Sequence, residues 1–170
     1  TLASRAEAAS DTIDLDGLGC AFYAPVGADP RIVIDRTPPD CDKARQQPQG
    51  RVSYVRFTGF ALRAQPGDPL EFSHRLARAD FERVFFGYAD GTILRSPTER
   101  DKAARPFAPN EVYFEVPYRA SPLTTILVEA KGFENRFGLA TRARVAPRSQ
   151  NLDPARTSHF AYGLFAGAIV

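Results

Sequence analysis

Residues 111–118 read Glu-Val-Tyr-Phe-Glu-Val-Pro-Tyr and alternate apolar with polar side chains more regularly than any other stretch of the chain. Successive side chains of a β-strand point to opposite faces of its sheet, so the two valines and Phe114 would share one face. Tyr113 and Glu115 would share the other. The stretch therefore predicts a strand that buries one face in a core and turns the second face away from it.

Further strand and turn signals lie along the chain around this strand. Asp90-Gly91 stands between two apolar runs, and this dipeptide is one of the clearest sequence signals of a β-hairpin. Pro66-Gly67-Asp68-Pro69 predicts another turn. Apolar or alternating segments predict strands at 51–57, 70–76, 81–88, 92–94, 111–118, 124–129 and 137–145.

The number and spacing of these segments predict an all-β fold. Six to eight short strands separated by turn signals, with no helical period between residues 14 and 145, are typical of an antiparallel sandwich or barrel. A parallel α/β sheet would need helices of about 10–15 residues between its strands, and the sequence has no room for them. We expect an antiparallel β-sandwich, in which residues 14–42, rich in Gly, Pro and Asp, are loosely ordered.

The chain of 170 residues fits one domain, which we place at residues 14–146. Residues 1–13 are predicted to be a flexible leader, polar enough to be the remainder downstream of a removed signal peptide. The net charge of +2 is small and its basic residues are scattered among acidic ones, so no nucleic-acid partner is expected. The chain has no Trp, the side chain that stacks most strongly on sugars.

The two cysteines, Cys20 and Cys41, have no third Cys or His close by in the sequence, so they do not predict a zinc site. Their spacing suits a disulfide that closes a loop of about 20 residues and stabilises the fold by roughly 3 kcal/mol. Such a bond would favour an exported protein. The alternative is a pair of unrelated buried thiols.

The C-terminal part of the chain changes character. We expect a polar linker at residues 147–158, and after it an uncharged apolar run that begins at Phe160. A membrane-spanning helix needs about 20 such residues, so residues 159–170 are predicted to be the beginning of a first transmembrane helix, with Tyr162 as an interfacial aromatic. The alternative is a short strand or helix that packs on the domain.

The sequence offers little catalytic chemistry. Its two histidines, His74 and His159, lie in a predicted strand and at the expected membrane edge, and neither accompanies a recognisable nucleophile. Asp14 and Asp16 alternate on a short segment but are too few ligands for a calcium site. We expect a protein that is not an enzyme and that has no metal ion or cofactor.

Polar and aromatic side chains on the strand faces turned away from the core are the first candidates for ligand binding. Such faces combine a stacking surface with hydrogen-bonding groups, as small polar ligands and sugars require. The alternative is a solvated face with weak cross-strand pairs. The charged loop at 95–105 is a second candidate, or else a solvated loop. The face residues are Tyr54, Arg56, Tyr113, Glu115, Glu129 and Arg142.

Six segments occur in an order that resembles a known family. They are Val55-Arg-Phe-Thr, Phe81 to Gly91, Ala104-Arg-Pro-Phe, Val112-Tyr-Phe-Glu-Val-Pro, Thr125-Ile-Leu-Val-Glu-Ala-Lys and Tyr162-Gly-Leu-Phe-Ala-Gly. Over residues 50–170 this order resembles the periplasmic sensor domain of bacterial seven-transmembrane receptors with diverse intracellular signalling modules. The resemblance implies a jelly-roll sandwich of the galactose-binding type in front of the first of seven membrane helices.

The resemblance also implies a function. It predicts a periplasmic ligand-sensing domain of an inner-membrane receptor, with a small polar ligand such as a carbohydrate, and a histidine kinase or diguanylate cyclase module in the full-length protein. The alternative is a structural or interaction ectodomain that forms a homodimer or binds another protein and takes no small ligand. That alternative predicts an exposed apolar sheet face or edge strand.

Overall fold

The computed structural model describes residues 12–25, 28–35, 51–75, 79–105, 108–131 and 140–151. Within them the chain forms ten strands, two short helices, α1 (Pro30–Asp35) and α2 (Arg100–Ala103), and a helical turn at residues 148–151. The strands are β1 (Ile13–Asp14), β2 (Gly19–Pro25), β3 (Arg51–Phe57), β4 (Leu70–Arg75), β5 (Phe81–Tyr88), β6 (Ile93–Arg95), β7 (Ala104–Arg105), β8 (Ala108–Glu115), β9 (Leu123–Lys131) and β10 (Arg144–Pro147). The predicted all-β class is confirmed.

The strands make two antiparallel sheets of five strands each. The first sheet has the order β1-β10-β4-β8-β7, and the second has the order β2-β3-β9-β5-β6. The chain changes sheet repeatedly: β3, β5 and β9 lie in the second sheet, whereas β4, β8 and β10 lie in the first. Strands that are far apart in the sequence therefore become neighbours, as in the pairing of β3 with β9.

The main hydrophobic core is built from the inner faces of both sheets. Val112 and Phe114 are buried in it, as the alternation of residues 111–118 predicts. Phe57 of the second sheet contacts Phe72 of the first, with ring centroids 5.9 Å apart. The two sheets therefore pack face to face as a sandwich, because each has one apolar face to remove from water.

The predicted hairpin joins β5 to β6. Gly91 has a φ of +80°, and its N–H donates to the carbonyl of Tyr88 at 2.9 Å. The Asp90 carboxylate accepts a hydrogen bond from the N–H of Thr92, also at 2.9 Å. The dipeptide suits this turn because Asp supplies a local acceptor and Gly adopts the left-handed conformation without a steric cost.

A second, smaller apolar cluster lies on the outer face of the second sheet, where α1 covers it. Val33 and Ile34 of the helix pack there with Tyr54, Phe85 and Leu127. The helix approaches so closely that a Cβ added at Gly87 would lie 3.2 Å from Cδ1 of Ile34. The segment expected to be loosely ordered therefore contains a structured cover.

The beginning of the last strand differs from its prediction. We expected a strand at 137–145, but Ala140 and Arg142 have φ values of +55° and +54°, in the left-handed region that an extended strand excludes. Residues 140–142 form a turn, and β10 begins at Arg144. At the other end of the domain Ile13 pairs with Val145, so the sandwich already includes the last residue of the predicted leader.

The residues that follow the predicted domain boundary at 146 also contact the first sheet. Pro147 pairs with Leu70 in the first sheet, and the N–H of Arg148 donates to the carbonyl of Pro69 at 2.8 Å. Residues 147, 148, 149 and 151 of the predicted linker thus bond to β4 or to the turn before it. The predicted membrane helix at 159–170 lies outside the described residues. Within the part of the chain that is described, no helix combines the length and apolarity needed to cross a bilayer.

Candidate functional site

The structure distributes the six predicted binding residues over three places. Tyr54, Arg56 and Glu129 lie on the outer face of the second sheet. Tyr113 and Glu115 lie on β8 in the first sheet, on the opposite side of the sandwich. Arg142 is exposed in the turn before β10. The six residues therefore do not form a single site.

The outer face of the second sheet carries a buried hydrogen-bonded group. The Tyr54 hydroxyl donates to Oε1 of Glu129 at 3.1 Å, and Arg83 donates to both carboxylate oxygens at 2.8 and 2.9 Å. Phe22 stacks on the Tyr54 ring with centroids 5.6 Å apart. Burial, together with the neighbouring Glu129 carboxylate, raises the pKa of Tyr54.

The Arg83 side chain of this group is 39% exposed, but its other two members are enclosed. Tyr54 and Glu129 are 0% and 1% exposed, so neither can contact a ligand without removal of the cover. Arg56 donates from Nη1 to the carbonyl of Ile34 at 2.9 Å and so ties the end of α1 to the sheet. The alternation correctly assigned these residues to the outer face. It did not predict the helix that covers them.

The outer face of the first sheet carries a second hydrogen-bonded group. The Tyr113 hydroxyl donates to Oε2 of Glu111 at 2.7 Å, and Arg144 reaches the same oxygen at 3.3 Å. Arg144 also donates from Nε to the hydroxyl of Ser73 at 3.1 Å. Burial and the adjacent Glu111 raise the pKa of Tyr113 to about 12. The Tyr113 ring is itself buried, so it offers no stacking surface.

The charged loop at 95–105 is anchored to β8. The Ser96 hydroxyl donates to the carbonyl of Glu115 at 2.8 Å, and the Thr98 hydroxyl accepts from the Glu115 N–H at 3.0 Å. The side chains of Arg95 and Glu99 form an exposed ion pair. Residues 104 and 105 at the end of this loop form β7, the edge strand of the first sheet. Binding of a ligand by the loop stays a hypothesis.

A more accessible polar and aromatic cluster lies where the β5–β6 hairpin meets the β8–β9 connection. Arg119 donates from Nη2 to Oδ2 of Asp90 at 2.8 Å and to the hydroxyl of Thr92 at 2.9 Å. An open depression of about 310 Å³ is lined here by Asp90, Tyr118, Arg119, Ala120 and Ser121. We call this cluster the loop-end site.

The backbone around the loop-end site is held by several hydrogen bonds. The Asp90 N–H donates to the Ser121 hydroxyl at 3.0 Å, and the Ala89 N–H donates to the carbonyl of Pro122 at 2.9 Å. The Tyr88 hydroxyl donates to the carbonyl of Pro117. The β8–β9 connection is thus fastened to the hairpin at three points, which fixes the geometry of the side chains between them.

The electrostatics of the loop-end site are balanced. The hydrogen bond from Arg119, with smaller contributions from those of Thr92, lowers the pKa of Asp90 to about 2. The carboxylate and the guanidinium are therefore both charged at neutral pH, and together they carry no net charge. Tyr118 stands beside them with 59% of its surface exposed.

Only part of the loop-end site was visible in the sequence. Asp90 was recognised as a turn residue, and Tyr118 as the end of a strand. The available signal was the segment Pro117-Tyr-Arg-Ala-Ser-Pro122, in which an aromatic and a basic residue lie between two prolines. Its meeting with the hairpin depends on the sheet topology, which local patterns do not give.

The one histidine among the described residues lies in the core. His74 Nε2 is 2.7 Å from Oε1 of Glu82, and both side chains are 0% exposed. The Nδ1 atom is 2.9 Å from the carbonyl of Arg75, so Nδ1 carries a hydrogen and Nε2 faces the carboxylate. The pair links β4 to β5 across the sandwich. Both side chains are enclosed in the core.

The predicted disulfide and the possible metal-ligating side chains fall only partly within the described residues. Cys20 lies on β2, and Cys41 lies outside the described residues, so their disulfide stays a prediction. Among the residues that the structure describes, no three His, Cys, Asp or Glu side chains are grouped so as to hold a metal ion.

Comparison with known proteins gives no relative: no family model, curated protein or solved structure matches this chain.

Proposed function

We propose that this chain is the ligand-sensing domain of a bacterial membrane receptor, located in the periplasm, with a small polar ligand of the carbohydrate type. The observation that carries the proposal is the position of the loop-end site. It lies at the end of the sandwich where the chain leaves its last strand. A sensor needs a ligand site and a route from that site to the next part of the protein, and the nearness of the loop-end site to the end of β10 supports such an arrangement.

The strand pairing supports a jelly-roll topology. Counting β1, β3, β4, β5, β6, β8, β9 and β10 as strands one to eight, the first sheet contains the order 1-8-3-6 and the second contains 2-7-4-5. Strand one thus pairs with eight, two with seven, three with six and four with five, as in a long hairpin wrapped into two sheets. With this numbering β2 and β7 extend the sheet edges.

Contacts at one end of the sandwich support the route to the C-terminal segment. The Val116 N–H, next to the β8–β9 connection, donates to the carbonyl of Leu70 at 3.0 Å. One residue earlier, Pro69 accepts the hydrogen bond from Arg148. Asp68 accepts bonds from the N–H and the hydroxyl of Ser149 at 3.1 and 2.6 Å. Two short steps therefore connect the loop-end site to the segment after β10.

These contacts suggest a mechanism of sensing. A ligand that binds more tightly to one arrangement of the loop-end site shifts the population towards that arrangement. The segment after β10 would move or stiffen with it and pass the change to the predicted membrane helix. The effector in the full-length protein would be a cytoplasmic histidine kinase or diguanylate cyclase module. The domain itself does no chemistry in this proposal.

The alternative, a dimerisation or protein-interaction domain without a small ligand, calls for an exposed apolar sheet face or edge. Among the described residues, the large hydrophobic side chains that are exposed are Leu18, Ile32 and Tyr118. They lie on three different elements, a turn, a helix and a loop, so they favour no apolar docking face.

A thermal-unfolding screen tests the proposal. The 170-residue chain is unfolded with and without each member of a panel of methyl glycosides, amino acids and dicarboxylates. A compound present at about 100 times its Kd stabilises the fold by about 2.7 kcal/mol, which raises the Tm by about 5–10 °C for a domain of this size. Stabilisation by at least one compound is expected. A flat response across the panel, together with a concentration-dependent dimer, would favour the alternative.

A further inference from the structure

The geometry points to the loop-end site as a binding site for a neutral cyclic polyol, such as one saccharide unit, held between the Tyr118 ring and the Arg119–Asp90 pair. This inference rests on the proposed ligand-sensing function and gives it a location and a ligand chemistry. It differs from the sheet-face site expected from the sequence, because the tyrosines of both sheet faces are buried.

The exposed ring of Tyr118 is the first feature that favours a polyol. Of the tyrosine side chains assigned to candidate sites, Tyr54 and Tyr113 are 0% and 5% exposed, whereas Tyr118 is 59% exposed. A saccharide ring presents C–H groups on its faces and hydroxyl groups at its rim. An exposed aromatic ring beside hydrogen-bonding side chains matches both surfaces.

The loop-end site also offers both donors and acceptors. Both hydrogen bonds that Arg119 makes come from Nη2, and the structure shows none from Nε or Nη1 to the residues it describes. The Asp90 carboxylate has lone pairs beyond those used by Arg119 and Thr92. A guanidinium and a carboxylate side by side can bond adjacent hydroxyl groups, one as a donor and the other as an acceptor.

The charge of the pair distinguishes a neutral ligand from an ion. An anion would gain from Arg119 but would be repelled by Asp90, which accepts its hydrogen bond only 2.8 Å away. A cation would be attracted by Asp90 but repelled by Arg119. Because the pair is already compensated, a neutral polyol has no such repulsion to overcome.

The loop-end site is formed before binding. The hydrogen bonds from Tyr88, Ala89 and Asp90 hold the β8–β9 connection against the hairpin. Side chains held in this way lose little conformational freedom when a ligand arrives. The depression of about 310 Å³ matches the smallest ligand pockets, about 300 Å³, and so suits one ring rather than a long chain.

Saturation-transfer NMR and titration calorimetry on the 170-residue chain test the inference. The probes are the methyl glycosides of glucose, galactose, mannose and N-acetylglucosamine, with succinate, acetate and glycine as charged comparators. The variants are Tyr118→Ala, which removes the ring, and Arg119→Lys, which keeps the charge but loses the planar fork of donors. Lys131→Ala is the control, because it removes an exposed basic side chain at the end of β9 that lies away from the loop-end site.

We expect at least one glycoside to bind the parent chain and Lys131→Ala equally, and to bind Tyr118→Ala and Arg119→Lys roughly 5- to 10-fold more weakly. A thermal scan of each variant shows that it is folded. Equal glycoside binding by all four chains would overturn the site but leave ligand sensing intact. Binding of the charged comparators alone would overturn the polyol chemistry. Binding of no probe would count against both proposals.

Discussion

At the scale of single residues, the buried tyrosines predict how the fold responds to alkali. Burial is the main cause that raises the pKa of Tyr88 and Tyr113 to about 12. In the unfolded chain these phenols ionise near pH 10, so folding is favoured below that pH, and this stabilisation is lost as the pH rises from about 10 through 12.

The corresponding measurement is urea unfolding at a series of alkaline pH values, combined with the absorbance of tyrosinate. We expect the free energy of unfolding to fall steadily over this window in the parent chain and less steeply in Tyr113→Phe. Ionisation of every tyrosine near pH 10 in the folded chain would contradict the assignment.

The buried pair of His74 and Glu82 predicts a second effect at this scale. Removal of one partner leaves the other buried without its counterpart, which costs about 3–5 kcal/mol. We expect Glu82→Ala to be destabilised by that amount and Glu99→Ala, which loses an exposed pair, to change by less than about 1 kcal/mol. Chemical denaturation measures both.

The double variant His74→Leu/Glu82→Leu provides the control for the pair. Because it replaces both polar groups with apolar ones of similar volume, it should recover most of the stability lost by Glu82→Ala. A double variant that is less stable than Glu82→Ala would contradict this account of the pair.

At the scale of elements, the packing of α1 predicts that two isoleucines of this helix differ in their contribution to stability. Ile34 is 6% exposed and packs on the second sheet, whereas Ile32 is 64% exposed. Ile34→Ala should therefore lower the free energy of unfolding by about 2–3 kcal/mol, and Ile32→Ala by no more than about 0.5 kcal/mol. Equal effects of the two substitutions in a denaturation experiment would mean that α1 does not cover the sheet.

The strands show how far local pattern predicts this fold. Alternation gave β8 and its buried face, and Asp90-Gly91 gave the β5–β6 hairpin, because both signals lie within a few adjacent residues. The cover of Tyr54 and Glu129 could not be predicted in this way. It comes from α1, about 20 residues earlier in the chain than Tyr54, and its short apolar run at 31–35 has no helical period to recognise.

The contacts of the predicted linker could not be predicted for a similar reason. Pro147, Ser149 and Asn151 are held by partners at residues 68–71, which no local pattern connects to them. The loop-end site also depends on such a long-range meeting, here between residues 88–92 and 117–122. Local periodicity thus predicted β3 to β6, β8 and β9 but not β1, β2 or β7, and the sheet topology determined which loops came together.

At the scale of the whole molecule, one end of the sandwich carries the features that matter for the proposed sensor. One end carries the loop-end site together with the segment after β10, so a ligand there lies near the route by which the chain leaves the domain. The contacts of Pro69 and Asp68 with Arg148 and Ser149 are the connection that sensing requires.

Hydrogen exchange of the 170-residue chain, recorded residue by residue with and without each methyl glycoside, tests ligand sensing most directly because it reports binding and its transmission together. We expect slower exchange at Arg119 and Ser121 when a glycoside binds, with slower exchange also at Arg148 and Ser149. Unchanged exchange at Arg148 and Ser149 while the loop-end site is protected would contradict sensing, and unchanged exchange throughout would contradict binding itself.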